Sequence, residues 1–373
     1  MNPFCMSSST THFSPRNLLV TGGAGFIGTN FVYHWLETHP GDRVLVLDAL
    51  TYAGNEANLK QAQDRPGFTF VHGNILDTDL VARLLKEKAI DTIVHFAAES
   101  HVDRSIHGPD IFIETNVQGT HSMLKAAREV WLGRGGASRK KADGFRFHHI
   151  STDEVYGSLG FDDPPFTESS PYIPNSPYSA SKAASDHLVR AYCRTYGLPV
   201  TISNCSNNYG PYQYPEKLIP LCIVHMLLGR PLPVYGQGRN IRDWIHVDDH
   251  CRGIEAVITR GRIGQTYNIG GNCEVSNMDL VRTLCRMMDE KRPEAPCRPH
   301  EELIEHVQDR PGHDLRYGLS CDKITKELGW SPRVSLQEGV ARTIDWYVQN
   351  SEWLQPFLGL PESDRWHSGT NRN

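Results

Sequence analysis

A regular alternation of short apolar runs and segments of helical periodicity, beginning at residue 17, constrains the fold more than any other feature. The runs NLLVTG, RVLVLD, FTFVHG and DTIVHFAA are predicted strands, and GFIGTNFVYHWLETH and DLVARLLKEK place apolar residues at helical spacing. A strand–helix–strand rhythm of this kind forms a parallel sheet with helices on both faces. The sequence therefore predicts an α/β fold built on a Rossmann-type doubly wound parallel sheet.

A glycine-rich turn, TGGAGFIG, links the first predicted strand to the first predicted helix. Gly22, Gly25 and Gly28 follow a G-x-x-G-x-x-G spacing, and Asp48 ends the second strand 20 residues after Gly28. Glycines let the backbone lie close to a pyrophosphate, and the helix that begins there points its unpaired N–H groups at it. A carboxylate at the end of the second strand binds a ribose 2′-hydroxyl and repels a 2′-phosphate. The pattern predicts a dinucleotide site that prefers NAD to NADP.

The segment YSASK places Tyr178 and Lys182 one helical turn apart, after the helix start signal PNSP. A nearby ammonium favours the phenolate, so we expect Lys182 to lower the pKa of Tyr178. The tyrosine would take a proton from a sugar hydroxyl while the adjacent carbon gives hydride to NAD. Thr152, 26 residues upstream at a predicted strand end, would hydrogen-bond the same hydroxyl. Alone this spacing is common on surface helices, and the dinucleotide pattern gives it weight.

Two adjacent carboxylates, Asp153 and Glu154, follow the apolar run FRFHHI in the segment STDEVYG. Successive residues of a strand point to opposite faces, so both acids can reach one ligand only if the strand has ended by residue 153. Gly157 is consistent with such an ending. The alternative is a solvated turn without a chemical role.

Taken together, these blocks resemble the extended short-chain dehydrogenase/reductase family over roughly residues 16–350, and within it the enzymes that dehydrate dTDP-glucose. The matching stretches are TGGAGFIG, AAESHVDRSI, TNVQGT, STDEVYG, YSASK, SNNYGPYQYPEKLIP, PVYGQGRNIRDWIHVDDH, YNIGG and DRPGHDLRY. One departure is HGNILD, in which Asn74 stands where such enzymes commonly carry Asp. It can still hydrogen-bond adenine, but without a charge.

The resemblance implies a reaction in three parts: oxidation at carbon 4, loss of water across carbons 5 and 6, and hydride return to carbon 6. It makes Glu154 the base at carbon 5 and Asp153 the acid at carbon 6. NAD is then tightly bound and recycled. The catalytic set comprises Thr152, Asp153, Glu154, Tyr178 and Lys182.

The resemblance also assigns binding residues, and no metal site. The NAD contacts expected are Gly22, Gly25, Phe26, Ile27, Gly28, Asp48, Thr51, Asn74, Ile75, Ala97, Ala98, Ser100, Thr115, Tyr178, Lys182 and Asn208. The substrate contacts expected are Ser100, His101, Thr152, Asn207, Lys217, Leu218, Pro233, Tyr235, Arg242, Asn277, Asp309, Arg310 and His313. Among these, Tyr235 offers a flat surface for a nucleobase, and Arg242 and Arg310 offer forked donors for a pyrophosphate.

The chain is expected to divide into an NAD-binding domain at residues 17–205 and a smaller, interleaved α/β substrate lobe, mainly at residues 206–355. Segments near 240–270 are expected to return to the first domain. Residues 1–16 are expected to be a disordered extension, residues 133–144 a basic surface loop, and residues 356–373 a tail. The resemblance further implies a homodimer formed through helices near 108–131 and 176–196.

Composition gives no reason to expect a macromolecular or membrane partner, and the partner that the resemblance implies is a small-molecule nucleotide sugar. The net charge of −5 gives no reason to expect nucleic acid or an anionic membrane, and no apolar run is long enough to span a bilayer. Nine cysteines without a C-x-x-C pair indicate reduced thiols in a cytoplasm. Three alternatives stay open: the same reaction on UDP- or CDP-glucose, a nucleotide-sugar 4-epimerase, and a non-catalytic NAD-binding sensor.

Overall fold

A seven-stranded parallel sheet lies at the centre of the molecule, in the order β10-β6-β5-β4-β1-β2-β3. The computed structural model describes residues 13–133 and 142–358. The strands in these residues are β1 Asn17–Thr21, β2 Arg43–Asp48, β3 Phe68–His72, β4 Thr92–His95, β5 Arg146–Thr152, β6 Val200–Cys205, β7 Asn207–Tyr209, β8 Leu232–Tyr235, β9 Ile241–His246, β10 Thr266–Ile269, β11 Glu274–Ser276 and β12 Ile304–Val307. The order β3-β2-β1-β4-β5-β6 is that of a doubly wound dinucleotide-binding sheet, so the predicted fold class is confirmed.

Helices cover both faces of this sheet. The α-helices are Phe26–Thr38, Lys60–Gln63, Thr78–Glu87, Val102–His107, Asp110–Phe112, Thr120–Ala127, Pro177–Tyr196, Leu218–Leu228, Val247–Arg260, Asn277–Lys291, Asp322–Leu328, Leu336–Gln349 and Ser351–Leu358. Single-turn 3₁₀ helices occupy Glu56–Leu59, Asp153–Tyr156 and His300–Leu303. Residues 110–132 form one helical run, in which π-helical turns at Ile113–Gly119 and Arg128–Leu132 flank the α-helical turns.

The alternation of side chains along the central strands builds two apolar layers. In β1, Leu18 and Val20 pack with the helices Phe26–Thr38 and Val247–Arg260. Leu19 points to the other face and packs with residues of the helices that include Met123 and Val189. The strands β1 and β2 are therefore apolar along most of their length and form nearly continuous hydrophobic runs in the sequence.

A smaller lobe surrounds a third apolar cluster. It contains the three-stranded sheet β11-β9-β7 and the parallel pair β12-β8, packed with the helices Leu218–Leu228, Asn277–Lys291 and Leu336–Gln349. The chain crosses between the two lobes more than once. The helix Val247–Arg260 and β10 lie on the large sheet, whereas β9, which also falls within residues 240–270, lies in the small one.

The expectation for residues 1–16 needs a correction at residues 13–16, which hydrogen-bond to the helix Val247–Arg260 and to the loop before β4. The Phe13 N–H donates to the Thr259 carbonyl at 2.9 Å, and the Arg16 N–H donates to the Asp91 carboxylate at 3.0 Å. These contacts pin the chain before β1. The predictions for residues 1–12, for most of the loop 133–144 and for the tail beyond 358 lie outside the described residues. The predicted tail begins inside the helix Ser351–Leu358.

Across residues 13–133 and 142–358, every helix is too short or too polar to cross a bilayer. The same residues contain no group of three or more histidine, cysteine or acidic side chains that could hold a metal ion.

Candidate active site

A cavity of about 470 Å³ opens at the carboxyl ends of the central strands and extends into the smaller lobe. Ligands of doubly wound folds bind at this edge, where the strand order reverses. The cavity brings together the predicted catalytic, cofactor and substrate residues with a single exception among the described ones. Asp309 does not line it. Its carboxylate accepts a hydrogen bond from His313 Nδ1 at 2.6 Å, so it orients a lining residue from behind.

The glycine-rich turn shows why the sequence requires glycine there. Gly22 has a φ of +69°, and a Cβ at this residue would lie 2.7 Å from the Ala97 amide nitrogen. A Cβ at Gly28 would lie 2.2 Å from the Gly22 carbonyl oxygen. Side chains would therefore push strand and helix apart. The helix that follows begins at Phe26 without a side-chain cap, which leaves its first N–H groups available to an anion.

Asp48 joins the end of β2 to this turn. Its two carboxylate oxygens accept hydrogen bonds from the Ala24 N–H at 2.9 Å and the Leu50 N–H at 2.8 Å. Burial raises the pKa of Asp48 although these two bonds oppose the rise. The carboxylate that we expect at the ribose thus also holds the turn in shape.

The strand β5 ends at Thr152, one residue before the acid pair. Thr152 caps the 3₁₀ helix Asp153–Tyr156, because its hydroxyl accepts from the Glu154 N–H at 3.3 Å. The turn brings both carboxylates to the cavity wall, where Asp153 is only 2% exposed. The solvated-turn alternative is therefore wrong.

The two acids lie in different electrostatic surroundings. Burial, together with the neighbouring Glu154, raises the pKa of Asp153 well above its usual value, and its Oδ2 has no hydrogen-bond partner within the described residues. Burial also raises the pKa of Glu154, but this carboxyl is partly exposed and three cations oppose the rise. Those cations are Arg310, Lys217 and Arg242. At neutral pH Asp153 is the better proton donor of the two and Glu154 the better base.

Tyr178 and Lys182 lie at the start of the helix Pro177–Tyr196, as predicted, but their electrostatics differ from the expectation. Burial, followed by the nearby Glu154, raises the pKa of Tyr178 well above its usual value. The Lys182 ammonium donates to the Ile150 carbonyl at 2.7 Å, and burial lowers its pKa to about 8. The sequence pattern predicted the pair but not the burial of the phenol that raises its pKa.

A buried carboxylate one turn further along the same helix was not anticipated. Asp186 accepts hydrogen bonds from Ser151 Oγ at 3.0 Å and from the Tyr172 hydroxyl at 2.8 Å, and lies 3.3 Å from His149 Nε2. Ser151 and His149 belong to β5, so the network ties the helix to the strand that carries Thr152. The i, i+4 spacing of Asp186 from Lys182 was the available signal.

The two arginines predicted to bind the pyrophosphate differ in how many of their hydrogen-bond donors are already used within the protein. Arg242 is 5% exposed and donates to backbone carbonyls, among them that of Asp314 at 2.9 Å, while its guanidinium stacks on Tyr317. The Nη1 of Arg310 donates a hydrogen bond to Asp103 Oδ1 at 2.8 Å. Its Nε has no hydrogen-bond partner in the part of the chain that the structure describes. Arg310 is therefore the better placed of the two to bind a diphosphate.

Several lining residues were not singled out from the sequence, although most lie inside blocks that were. Asp103 and Glu99 fall within AAESHVDRSI, and Glu216 within YPEKLIP. Tyr52 also lines the cavity and donates to Glu216 Oε1 at 3.1 Å. Only tertiary contacts separate these residues from their neighbours in the same blocks.

Comparison with known proteins identifies relatives along nearly the whole chain. Residues 19–343 match the family model described as GDP-mannose 4,6 dehydratase. The chain is 54% identical over 340 residues to a dTDP-glucose 4,6-dehydratase of Xanthomonas campestris pv. campestris, covering 91% of this chain and 95% of the relative. It is 51% identical over 351 residues to the Escherichia coli enzyme of that name, covering 91% and 96%.

Solved structures give the same result. A dTDP-glucose 4,6-dehydratase from Streptomyces venezuelae, crystallised with NAD, superposes with a TM-score of 0.82 at 51% identity, covering 91% of this chain and 99% of that one. A UDP-glucose 4-epimerase from Thermotoga maritima superposes with a TM-score of 0.77 at 26% identity, covering 90% and 99%. The fold is thus shared with epimerases, whereas the higher identities belong to dehydratases.

Proposed function

Because this chain belongs to the GDP-mannose 4,6 dehydratase family of extended short-chain dehydrogenases/reductases, we propose that it dehydrates dTDP-glucose to dTDP-4-keto-6-deoxy-glucose. It is an NAD-dependent enzyme, as its relatives are. One observation above all supports the proposal: Asp153 and Glu154 line the cavity that also contains Tyr178 and Lys182. An epimerase needs the second pair alone, and a sensor needs neither.

The residues present fit NAD. A Cβ at Gly22 or Gly28 would clash with neighbouring backbone, so the turn that presents the helix N-terminus to a pyrophosphate keeps its shape only with glycine at both, and Asp48 ends β2 where a ribose would lie. Asn74 and Ile75 extend the same wall of the cavity. When bound, NAD supplies the acceptor for a hydride from carbon 4 and later the donor to carbon 6.

In the oxidation step, Tyr178 takes the proton of the hydroxyl on carbon 4. A hydrogen bond from Thr152 to the phenol favours the anion, and the two hydroxyls can hold the sugar oxygen between them. Lys182 lies one turn further along the same helix, and its ammonium donates to the Ile150 carbonyl. Tyr178→Phe is expected to lose roughly 10²–10⁴-fold of this step.

In the elimination step, the carbon 4 ketone makes the proton on carbon 5 acidic. Glu154 removes that proton, the bond between carbon 6 and its oxygen breaks, and Asp153 gives the departing oxygen a proton so that it leaves as water. Burial and the neighbouring Glu154 raise the pKa of Asp153 well above its usual value, which suits it to the acid role, and three cations oppose the rise in the pKa of Glu154, which suits that residue to the base role. Glu154 then returns a proton to carbon 5.

The experiment separates oxidation from elimination within one turnover. Glu154→Gln and Asp153→Asn should still produce the NADH absorbance with dTDP-glucose, yet form product at least roughly 10²-fold more slowly. Glu154→Gln should also stop exchange of the carbon 5 hydrogen with deuterated solvent. The exposed Asp162 lies in the segment after the acid pair, and Asp162→Asn is the matched control. Wild-type elimination rates in both acid variants would refute the roles assigned to Asp153 and Glu154. Absence of the 4-keto-6-deoxy product in the wild type would refute the dehydratase function.

The nucleotide base needs its own measurement, since UDP- and CDP-glucose remain alternatives. Incubation of the wild type with each of the three nucleotide-glucoses, followed by the absorbance of the 4-keto product in alkali, should favour dTDP-glucose. An equal or higher rate with UDP-glucose would change the substrate but leave the reaction in place.

We also infer a homodimer, built from the helical run 110–132 and the helix Pro177–Tyr196. Three large apolar side chains on these segments are exposed: Ile111 at 46%, Ile113 at 45% and Tyr196 at 40%. Exposed apolar side chains on adjacent helices favour burial against a second subunit. The division into a cofactor domain at 17–205 and a substrate lobe at 206–355, and a cytoplasmic location, stay predictions.

A further inference from the structure

The segment that follows β4 holds the two halves of the cavity together. Ser100 accepts a hydrogen bond through its carbonyl from the Lys217 ammonium at 3.0 Å, and Arg104 lies 3.5 Å from the Glu216 carboxylate. Both partners belong to the smaller lobe. Between these two contacts, at the cavity wall, lies Asp103.

Asp103 uses each of its carboxylate oxygens for a different residue of the smaller lobe. Oδ2 accepts a hydrogen bond from the Tyr235 hydroxyl at 3.1 Å, and Oδ1 accepts one from Arg310 Nη1 at 2.8 Å. Tyr235 ends β8, and Arg310 lies in the loop after β12. These strands pair with each other, so Asp103 joins the ends of a two-stranded sheet to the larger lobe.

The charges at this contact are matched. Burial alone would raise the pKa of Asp103, but the hydrogen bond and the charge of Arg310 outweigh it and lower the pKa. The carboxylate is therefore ionised at neutral pH and faces a guanidinium. A lone anion would repel a diphosphate, whereas the charge of Asp103 is paired with that of Arg310.

We propose that Asp103 is a positioning residue for the nucleoside diphosphate half of the substrate, because it fixes both the ring of Tyr235 and the guanidinium of Arg310. The proposal rests on the function inferred above. A guanidinium has five N–H donors, and Asp103 occupies one nitrogen of Arg310 while Nε keeps a free donor. A guanidinium held on one side presents the rest of its fork in a defined direction, at lower entropic cost on binding.

Asp103 holds the nucleotide end and contacts none of the groups that react with the sugar. Its partner Arg310 is also one of the three cations that oppose the raised pKa of Glu154, but removal of the Asp103 carboxylate leaves that positive charge in place. The sugar carbons react at Thr152, Asp153, Glu154 and Tyr178, whereas the partners of Asp103 belong to β8 and to the loop after β12. Loss of positioning should therefore weaken binding of the ground state and the transition state alike. Such a loss raises KM and leaves kcat unchanged.

Two variants at this residue separate geometry from charge. Asp103→Ala removes both acceptors, and KM for dTDP-glucose should rise roughly tenfold or more with kcat within about twofold of the wild type. Asp103→Asn can still accept from Arg310 through its oxygen and donate to the Tyr235 hydroxyl through its amide, so it should restore most of the loss. A fall in kcat at unchanged KM in Asp103→Ala would overturn the proposal, and so would failure of Asp103→Asn to restore KM.

Calorimetry with dTDP alone tests the same inference without turnover. Asp103→Ala should weaken dTDP binding by the same factor as it raises KM for dTDP-glucose, because the lost contacts serve the part that the two ligands share. An unchanged dTDP affinity would overturn the proposal. If the wild type did not turn over dTDP-glucose, the proposed function would fail, but weaker dTDP binding by Asp103→Ala would still support the role of Asp103.

A double-mutant cycle and a control variant at another ion pair test whether Asp103→Ala acts only by destabilising the smaller lobe. After Tyr235→Phe, which removes one of the two donors, Asp103→Ala should cost less dTDP affinity than in the wild type. Asp345 pairs with Lys291 at 2.5 Å in the smaller lobe, away from the cavity lining. Asp345→Ala should leave dTDP affinity unchanged. If the effects of Tyr235→Phe and Asp103→Ala on dTDP affinity were strictly additive, or if Asp345→Ala lost as much affinity, Asp103 would only stabilise the contact between the lobes.

Discussion

At the scale of single residues, Asp153 shows how function and stability oppose each other in this site. Its carboxyl is 2% exposed, and burial and the adjacent Glu154 raise its pKa. A carboxyl of this kind binds its proton more tightly in the folded than in the unfolded chain. Stability is therefore full below the pKa of the unfolded aspartate and falls as pH rises through the raised, folded value.

Asp153→Asn should make the protein more stable at neutral pH, because the amide keeps the shape of the protonated acid and cannot ionise. The melting temperature at pH 7–8 should rise by a few degrees relative to the wild type, and the difference should shrink as pH approaches about 4. Thermal melts across this range, with Asp162→Asn as control, provide the measurement. A gain that is independent of pH would mean that ionisation of Asp153 is not its source.

Asp48 allows a second prediction at this scale. Asp48→Ala removes the anion that would repel a 2′-phosphate, so the preference for NAD over NADP should fall by roughly tenfold or more. The same change frees the Ala24 and Leu50 amides and loosens the turn, but that affects both cofactors equally. The ratio of the two dissociation constants is therefore the measurement. An unaltered ratio would remove Asp48 from cofactor selection.

The residues whose roles follow from local spacing could be predicted, and those whose roles follow from burial could not. Gly22, Gly28 and Asp48 lie within one strand–turn–helix–strand unit, so their geometry is encoded nearly locally. The raised pKa of Tyr178 and the backbone contacts of Arg242 depend on elements far along the chain. From the sequence, the guanidinium of Arg242 was predicted to donate to a pyrophosphate. The sequence could not show that this guanidinium already donates to backbone carbonyls.

At the scale of elements, the start of the helix Pro177–Tyr196 sets the position of Tyr178. Ser176 accepts from the Ser179 N–H at 3.1 Å, and the Ser179 hydroxyl accepts from the Ser176 N–H at 3.0 Å. This reciprocal cap encloses Tyr178, so the first turn cannot fray without moving the phenol.

Ser176→Ala should therefore cost about 1 kcal/mol of stability and also lower kcat several-fold. Ser335 caps the helix Leu336–Gln349 by accepting from the Glu338 N–H at 3.3 Å, at a distance from the cavity lining. Ser335→Ala should lose comparable stability with kcat intact. Denaturant unfolding beside steady-state kinetics would compare the two. A full kcat in Ser176→Ala would show that the cap does not position Tyr178.

Among the elements, β1 to β4 were predictable because central strands buried on both faces form nearly continuous apolar runs, and the helices Phe26–Thr38 and Thr78–Glu87 were predictable from the helical spacing of their apolar residues. The 3₁₀ turn after β5 could be deduced only by requiring both acids to face one ligand. The small strands β7, β8, β11 and β12 have three or four residues each and no such periodicity. Their pairing is set by the lobe that they complete.

At the scale of the whole molecule, the inferred dimer gives the next prediction. The double variant Ile111→Arg, Ile113→Arg would place two charges on the face that we expect a second subunit to cover. This variant should therefore sediment as a monomer. Ile263, which is 37% exposed in the loop before β10, provides the matched control, and Ile263→Arg should remain dimeric. Sedimentation of the wild type as a monomer would contradict the dimer itself.

The return of the chain to the large sheet at β10 limits how this protein can be recombined. A fragment cut after β6 would expose that strand as an unpaired edge and uncover the face on which the helix Val247–Arg260 packs. Exposed edges of apolar strands invite aggregation. A chimaera that exchanges nucleotide specificity must therefore graft two separate inserts, one before and one after residues 247–269, and leave that stretch with its original sheet. The two lobes are distinct in space, but neither corresponds to one continuous stretch of sequence that could be exchanged on its own.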